Sequence, residues 1–278
     1  MPITKVESDR RAALLEDIVM PISGAQPVAA DYARFQDLTF DDFRALAQNA
    51  TMSCYERIGF PNSYRQGHEE AIFRDILAKL PHLSQRNQIV LDIGPGCSEL
   101  PHLLIELCRR QGHTLLLWDS EEMLSLLPDE PFIIKVPGRF PGKAAPVYAK
   151  FLGRVDVLLS YSVLHYIFVE QPLFEFLDRA LQLLAVQGQM MLGDIPNISK
   201  RKRFFASTTG IQHHRVFTGT DETPQVVFNT LEHDKIDDAV LLALVARCRG
   251  AGFDAYVMPQ APHLPMANRR EDLLIHRP

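Results

Sequence analysis

Residues 89–99 read IVLDIGPGCSE, a short apolar run that ends in a glycine turn. Such a run, bounded by turn residues, predicts a strand that is buried on both faces of a sheet. Beyond the turn, leucines recur at i, i+3, i+4 and i+7, which predicts a helix that packs on this sheet, with Ser98 as its N-cap. A strand, a glycine turn and a helix in this order indicate an α/β fold.

The same alternation of apolar runs and helical periods continues to the C-terminus. The predicted strands are 89–93, 114–118, 132–136, 155–160, 190–193, 255–258 and 272–276. Helices fit between most of them, and Asp238 begins the last one. This pattern predicts an α/β fold with a doubly wound, mostly parallel, seven-stranded, Rossmann-like sheet.

Two regions lie outside this rhythm. Residues 1–86 read as an N-terminal helical cap, in which Ile72, Phe73, Ile76, Leu77 and Leu80 share one helical face. Residues 87–278 form the main domain. Within it, residues 196–237 make a connection far longer than the usual two to six residues, so we expect a functional insertion that forms a substrate lid.

Composition excludes several classes of protein. The chain of 278 residues is 46% hydrophobic and 23% charged, as in folded globular proteins. Its net charge of -5 favours neither nucleic-acid coating nor an anionic membrane surface. The four cysteines are far apart and have no zinc-ligand spacing, so we predict reduced thiols and no metal site. With no signal-peptide pattern or long apolar stretch, we expect cytoplasmic residence and no membrane contact.

The glycine turn predicts a nucleotide-like ligand, because glycines allow close backbone approach and the following helix offers free N–H groups. A dinucleotide fingerprint is incomplete, since Glu99 occupies the place of its third glycine. No Gly-Lys-Ser/Thr follows either, which excludes a P-loop. Two acids remain near the turn: Asp92 within the first strand, and Asp119 after the second strand, where it can accept hydrogen bonds from a ribose.

Here the sequence resembles the class I S-adenosylmethionine-dependent methyltransferases of the small-molecule branch. Asp92, Gly94 and Gly96 match the family's D/E-x-G-x-G-x-G motif, with Ser98 at the third glycine. Residues 118–124 (WDSEEML), 155–165 (VDVLLSYSVLH) and 184–194 (LAVQGQMMLGD) resemble its later motifs, in the right order. The family often has an acid after the third strand that contacts the adenine, whereas this chain has Arg139.

The resemblance implies S-adenosylmethionine as cofactor and methyl transfer as activity. It implies cofactor contacts for Asp92, Gly94, Pro95, Gly96, Asp119, Ser120, Met123, Ser160 and Tyr161. A looser resemblance to methyltransferases associated with bacterial surface-sugar biosynthesis implies a small sugar-like acceptor, either acidic or nucleotide-linked, that is methylated on a hydroxyl or an amine.

Basic and aromatic residues outside these motifs are the candidates for binding the acceptor: Lys200, Arg201, Arg203, Arg215, Tyr64 and Arg65. The basic run follows the fifth strand near the edge where open α/β sheets bind ligands, although a solvated charge run gives the same pattern. Tyr64 and Arg65 either close over the cofactor or pack as ordinary residues of the cap.

Three histidines are the candidate general bases for a hydroxyl acceptor: His165, His213 and His214. His165 also fits a histidine packed beneath the cofactor, and the other two also fit a surface loop.

Other functions stay open. One is a non-catalytic, cofactor-binding partner subunit, which Ser98 and Arg139 would allow. A nucleotide-cofactor oxidoreductase on a related fold is disfavoured by Glu99. A homo-oligomer is compatible with the sequence, and neither a nucleic-acid partner nor a membrane is expected.

Overall fold

The structure is a computed structural model that describes residues 34, 35, 37–142 and 145–278, with the backbone alone at Ser63 and Ala145. The first 33 residues of the predicted cap lie outside the described residues. The described residues before the sheet form helices up to the short 3₁₀ turn Pro81–Ser84, and the division into a cap and a main domain stays a prediction.

The core of the fold is one seven-stranded sheet of order β3-β2-β1-β4-β5-β7-β6. Strands β1 to β5 pair in parallel, whereas β7 runs antiparallel between β5 and β6. The strands are β1 (Ile89–Ile93), β2 (Thr114–Asp119), β3 (Ile133–Pro137), β4 (Val155–Tyr161), β5 (Leu184–Pro196), β6 (Asp254–Pro259) and β7 (Arg270–His276). The prediction of a doubly wound, mostly parallel, seven-stranded sheet is confirmed.

The helices lie before, between and after these strands. They are α1 (Phe40–Gln48), α2 (Cys54–Arg57), α3 (Asn62–Arg65), α4 (Glu69–Lys79), α5 (Glu99–Gln111), α6 (Glu121–Leu124), α7 (Ala145–Phe151), α8 (Leu164–Glu170), α9 (Leu173–Leu183), α10 (Ile198–Phe205), α11 (Thr208–Thr218) and α12 (Asp238–Gly250). No helix within the described ranges is long and apolar enough to cross a membrane.

Alternate residues of the strands enter two cores, one on each face of the sheet. Leu91 and Leu158 pack with α8, α9 and α12 on one face, and Val90 and Val157 pack with α4 and α5 on the other. This alternation follows from the pleat, which points successive side chains to opposite faces. Since both faces are covered by helices, the strands read as continuous apolar runs.

Strand β5 is longer than the sequence predicted. It begins at Leu184, directly after α9, and its register against β4 shifts between Val155 and Val157. Gly188, which precedes the predicted strand 190–193, lies inside this irregular stretch, where a Cβ atom would come within 2.7 Å of the Ala185 carbonyl oxygen. This glycine therefore belongs to a bulge inside the strand and does not precede it.

A buried ion pair joins the N-terminal helices to the far side of the sheet. Lys79 Nζ on α4 lies 2.6 Å from a carboxylate oxygen of Asp272 on β7 and 2.6 Å from one of Asp75. The other oxygen of Asp272 accepts the backbone N–H of Asp194 at 2.8 Å. Because Asp272 is fully buried, its charge depends on these partners.

The Lys79–Asp272 pair predicts a large effect of a single substitution. Lys79→Met should lower the free energy of unfolding by about 3–5 kcal/mol, because it leaves a buried carboxylate without its cation. The matched control is Arg247→Met, which breaks a pair with Asp178 whose side chains are 52% and 34% exposed. That variant should lose at most about 1 kcal/mol. Urea unfolding measures both, and equal losses would contradict the assignment.

Candidate ligand-binding site

A cavity opens at the carboxyl ends of β1, β2 and β4, where open α/β sheets bind ligands. It encloses about 1030 Å³ of empty space, its open mouth included. From the sheet side it is lined by Asp92, Ile93, Gly94, Pro95, Gly96, Ser98, Leu100, Trp118, Asp119, Met123, Gly138, Arg139, Phe140, Tyr161, Ser162, Val163, Tyr166, Ile167, Glu170 and Gln171. The N-terminal helices add Phe40, Phe43, Ile58, Phe60 and Arg65.

The glycine turn forms the floor of this cavity. Gly94 and Gly96 have φ of +71° and +67°, a region that favours glycine. A Cβ atom at Gly94 would come within 2.6 Å of a Val163 methyl, and one at Gly96 within 2.7 Å of an Ile58 methyl. These glycines therefore let the turn touch both the β4–α8 connection and the N-terminal helices.

Two carboxylates face the cavity beside this turn. Asp119 accepts the backbone N–H groups of Gly96 at 3.2 Å and Ser120 at 2.7 Å, one on each oxygen. Burial raises the pKa of Asp119 to about 6. Burial and then the charge of Asp119 raise the pKa of Asp92 to about 8. Within the described part of the chain, no cation forms an ion pair with either acid.

Two of the predicted cofactor contacts have structural roles instead. The Ser120 hydroxyl accepts the Met123 backbone N–H at 3.1 Å and so caps α6. The Ser160 hydroxyl donates to the Ile93 carbonyl oxygen at 3.0 Å and is buried between β4 and β1. Neither serine lines the cavity. The other predicted contacts do line it: Asp92, Gly94, Pro95, Gly96, Asp119, Met123 and Tyr161.

Helix α1 covers the cavity and is tied down at its first residue. Glu170 accepts the Phe40 backbone N–H at 3.0 Å and lies 3.0 Å from Arg139 Nη1. The Arg139 guanidinium also stacks 4.7 Å from the centre of the Phe40 ring. Arg139, which replaces an acid common in the resembled family, therefore holds the N-terminal helix over the cavity.

A second ion pair holds the same helix further along its length. Arg44 Nη2 lies 2.8 Å from a carboxylate oxygen of Glu122, and Arg44 Nε donates to both oxygens at 3.1 and 3.0 Å. Glu122 belongs to α6, which follows Asp119. Helix α1 is thus attached to two elements that also line the cavity.

The predicted bases lie elsewhere. The His165 ring contacts that of Tyr166 in a tilted arrangement, with ring centres 4.0 Å apart, and its buried Nδ1 has no hydrogen-bond partner among the described residues. Burial, with smaller contributions from the charges of Arg270 and Lys235, lowers the pKa of His165 to about 3, so the ring is neutral and weakly basic at pH 7. His213 and His214 pack edge-on to the Phe205 ring on the insertion. None of the three histidines lines the cavity.

The basic run of the insertion is largely consumed by internal contacts. Lys200 donates to the Arg270 carbonyl oxygen at 2.8 Å, and Arg203 pairs with Asp238. The Arg201 guanidinium lies 5.2 Å from the centre of the Phe205 ring. The buried Nε atom of Arg215 has no hydrogen-bond partner within the part of the chain that the structure describes. Among the described residues of 196–237 none lines the cavity. The N-terminal helices therefore close the site, and the role of the insertion as a lid stays a prediction.

Of the two acceptor-binding candidates in the cap, only Arg65 reaches the cavity. Tyr64 stacks on Phe60, with ring centres 5.1 Å apart, and is buried behind it. Sequence reasoning missed Phe40, Phe43, Ile58 and Phe60, because aromatic and apolar residues in a helical segment read equally well as core.

No metal-binding group of three or more His, Cys, Asp or Glu occurs within the ranges described.

Comparisons with known proteins identify the fold. No protein-family model matches the chain, and no curated protein matches it. The solved CurJ carbon methyltransferase is similar with a TM-score of 0.51 and 14% identity, over 100% of this chain and 72% of that chain. The plantazolicin methyltransferase BamL, in complex with a triazolic desmethylPZN analog and SAH, is similar with a TM-score of 0.52 and 11% identity, over 86% of this chain and 96% of that chain.

The plantazolicin methyltransferase BpumL in complex with SAH is similar with a TM-score of 0.51 and 12% identity, over 90% of this chain and 99% of that chain.

At these identities the likeness shows the fold alone, which is the class I methyltransferase fold. The order and directions of the strands agree with that assignment. The association with surface-sugar biosynthesis stays an inference from sequence.

The raised pKa of Asp92 predicts a pH dependence of stability. Its value of about 8 lies above the unfolded value of 3.8, so between these pH values the folded protein holds a proton that the unfolded chain has lost. The resulting stabilisation is fully present below the unfolded pKa and is lost as pH rises through the folded pKa. One carboxyl contributes a slope of at most about 1.4 kcal/mol per pH unit.

Asp92→Asn should flatten this decline between pH 5 and pH 8, as measured by urea unfolding across that range. Asp119 contributes in the lower part of the same range, because its pKa is about 6. The control is Asp129→Asn, whose side chain is 92% exposed. Identical slopes in wild type and Asp92→Asn would contradict the assignment.

Proposed function

We propose that this chain is an S-adenosylmethionine-dependent methyltransferase that acts on a small-molecule acceptor. The observation that carries the proposal is a pair of cavity-facing carboxylates, Asp92 and Asp119, beside a glycine turn at the carboxyl edge of a class I methyltransferase fold. Buried carboxylates without a cation are costly, so a ligand that brings positive charge and hydroxyl donors suits them.

The residues of the cavity fit this cofactor group by group. Each Asp119 oxygen accepts one backbone N–H and keeps acceptor capacity for the two ribose hydroxyls. Asp92 holds a proton in the free protein at neutral pH, and the ammonium group of the methionine part would favour its charged form and pair with the resulting carboxylate. The free N–H groups at the start of α5 can receive its carboxylate, since Ser98 makes no side-chain cap there.

An apolar pocket beyond Asp119 suits the adenine. Trp118, Met123 and Phe140 line this side, and the Trp118 and Phe140 rings meet edge to face with centres 5.0 Å apart. Arg139 stands where the resembled family often has an acid, and here it pairs with Glu170.

When bound, the cofactor supplies an electrophilic methyl group on a sulfonium sulfur. The chain contributes alignment and exclusion of water, which suits a reaction in which positive charge disperses as the new bond forms. The aromatic side chains of Phe43, Phe60 and Tyr166 line the cavity and help to exclude water from it. No histidine is among the described residues that line the cavity. An amine acceptor needs no base when it arrives unprotonated, whereas a hydroxyl acceptor must pass its proton to another group of the cavity or to water.

The acceptor, the location and the oligomeric state are proposed from the sequence alone. A sugar-like acceptor, a cytoplasmic location and a homo-oligomeric state are proposed on the motifs and composition. The alternative oxidoreductase function is disfavoured because Glu99 stands where the dinucleotide fingerprint needs its third glycine.

Calorimetric titration with S-adenosylmethionine, S-adenosylhomocysteine and NADH tests this proposal directly. Binding of the two sulfur compounds without NADH is the expected result. Binding of NADH alone would replace the proposal by an oxidoreductase. If the sulfur compounds bind but no acceptor is methylated, the chain is a cofactor-binding partner subunit.

Asp119→Ala should weaken the binding of S-adenosylhomocysteine by about 1–3 kcal/mol, because two hydrogen bonds to a charged acceptor are lost. Asp129→Ala, on an exposed loop, is the matched control and should bind like wild type. Calorimetry measures both, and unchanged affinity in Asp119→Ala would remove this residue from the cofactor site.

A further inference from the structure

Arg65 is a buried cation with unused hydrogen-bond donors. Its side chain lines the cavity, and the residue is only 4% exposed. Of the five N–H donors of its guanidinium, only Nη2 finds a hydrogen-bond partner among the described residues, the Ser162 hydroxyl at 3.3 Å. Nε has none, and it lies 3.9 Å from the Glu69 carboxylate. A buried guanidinium with an unpartnered Nε and an acid no nearer than 3.9 Å keeps donor capacity for a further partner.

The guanidinium is nevertheless held in one place. It lies between the rings of Phe60 and Tyr161, at 5.0 and 5.4 Å from their centres. The Ser162 hydroxyl that receives its hydrogen bond donates in turn to Asp194. Arg65 is therefore oriented by stacking and by one bond, while its remaining donors stay available, as suits a site that recognises a carboxylate.

The position of Arg65 separates it from the cofactor groups proposed above. Its neighbour Tyr161 is the last residue of β4, and Ser162 follows it directly. Asp194 lies on β5. Asp92 and Asp119 belong to β1 and β2, on the opposite side of β4 from β5. Since strands are about 4.8 Å apart, Arg65 lies on the β5 side of the cavity, away from the two acids assigned to the cofactor.

The walls of this part are aromatic. Phe43 and Tyr166 meet edge to face with ring centres 4.9 Å apart, and both line the cavity. Phe60 and Tyr161 flank the guanidinium, as described above. A sugar needs a hydrogen-bond partner for most of its hydroxyls, whereas these walls offer flat apolar faces with few polar atoms.

We propose that Arg65 binds a carboxylate of the acceptor, and that the acceptor is a flat, aromatic acid rather than a polyhydroxylated sugar. The inference rests on the proposed function for the identity of the reaction; it retains the acidic acceptor predicted from the sequence but replaces the sugar-like body proposed above with an aromatic one. The carboxylate binds the open side of the guanidinium, and the flat body lies among Phe43, Phe60 and Tyr166.

The same carboxylate chemistry could come from the methionine part of the cofactor, so the experiment separates the two sources. Full-length protein saturated with S-adenosylhomocysteine is titrated calorimetrically with 4-hydroxybenzoate, with its neutral analogue 4-hydroxybenzamide, and with glucuronate. The dissociation constant of 4-hydroxybenzoate should be at least about tenfold lower than those of 4-hydroxybenzamide and glucuronate.

Two variants with opposite expected signs guard against a merely structural effect. Arg65→Gln should weaken benzoate binding at least about tenfold. Glu69→Gln should strengthen it severalfold, because a competing negative charge 3.9 Å from the guanidinium disappears. Arg74→Gln is the matched control, since this arginine of the same N-terminal region is 76% exposed, and it should leave benzoate binding unchanged.

Several outcomes would overturn the proposal. Equal binding of the benzoate and the benzamide, tighter binding of glucuronate, or no binding at millimolar concentration would each do so. If Arg65→Gln weakens S-adenosylhomocysteine but not the benzoate, Arg65 serves the cofactor carboxylate instead. If wild type fails to bind S-adenosylhomocysteine, the proposed function fails. Benzoate titrated alone, in wild type and Arg65→Gln, then supports or overturns the anion site by itself.

Discussion

The close contact of the glycine turn with two other parts of the chain is the constraint on which the site depends. At Gly94 and Gly96 the places of the missing Cβ atoms are taken by Val163 and Ile58. Any side chain at either glycine would separate β1 from the β4–α8 connection or from the N-terminal helices. The absence of two methyl groups therefore allows three segments, distant in sequence, to form one cavity.

The carboxyl edge of the sheet also carries most of the buried charge of the described chain. Asp194, in a left-handed backbone conformation with φ of +58°, accepts hydrogen bonds from Ser162 and Arg270. Asp272 and Lys79 continue the network towards α4. Such an arrangement is expensive as a means of stability, because each ion loses its water. This network instead holds Arg65 and the residues after β4 in fixed orientations towards the cavity.

The contrast between Asp194 and Arg65 separates structure from recognition. Asp194 is surrounded by donors, so its charge is satisfied within the protein. Arg65 has a single long hydrogen bond and an acid that lies at 3.9 Å, although it is as deeply buried. Charged groups of the first kind hold a fold together. Those of the second kind keep capacity for a ligand, and Asp92 and Asp119 belong with them.

The sequence by itself determined the sheet, the glycine turn and the acids beside it, since each follows from local patterns. Apolar runs define strands, glycines permit positive φ, and Asp119 follows its strand directly in the chain. Only the tertiary structure decided which distant segment closes the cavity. The basic run of 200–203 resembled a ligand clamp, but Asp238 and Glu271 neutralise part of it. Phe40 and Arg65 reach the site because ion pairs and glycine contacts, formed between remote residues, bring the N-terminal helices over the sheet, and no local pattern encodes such contacts.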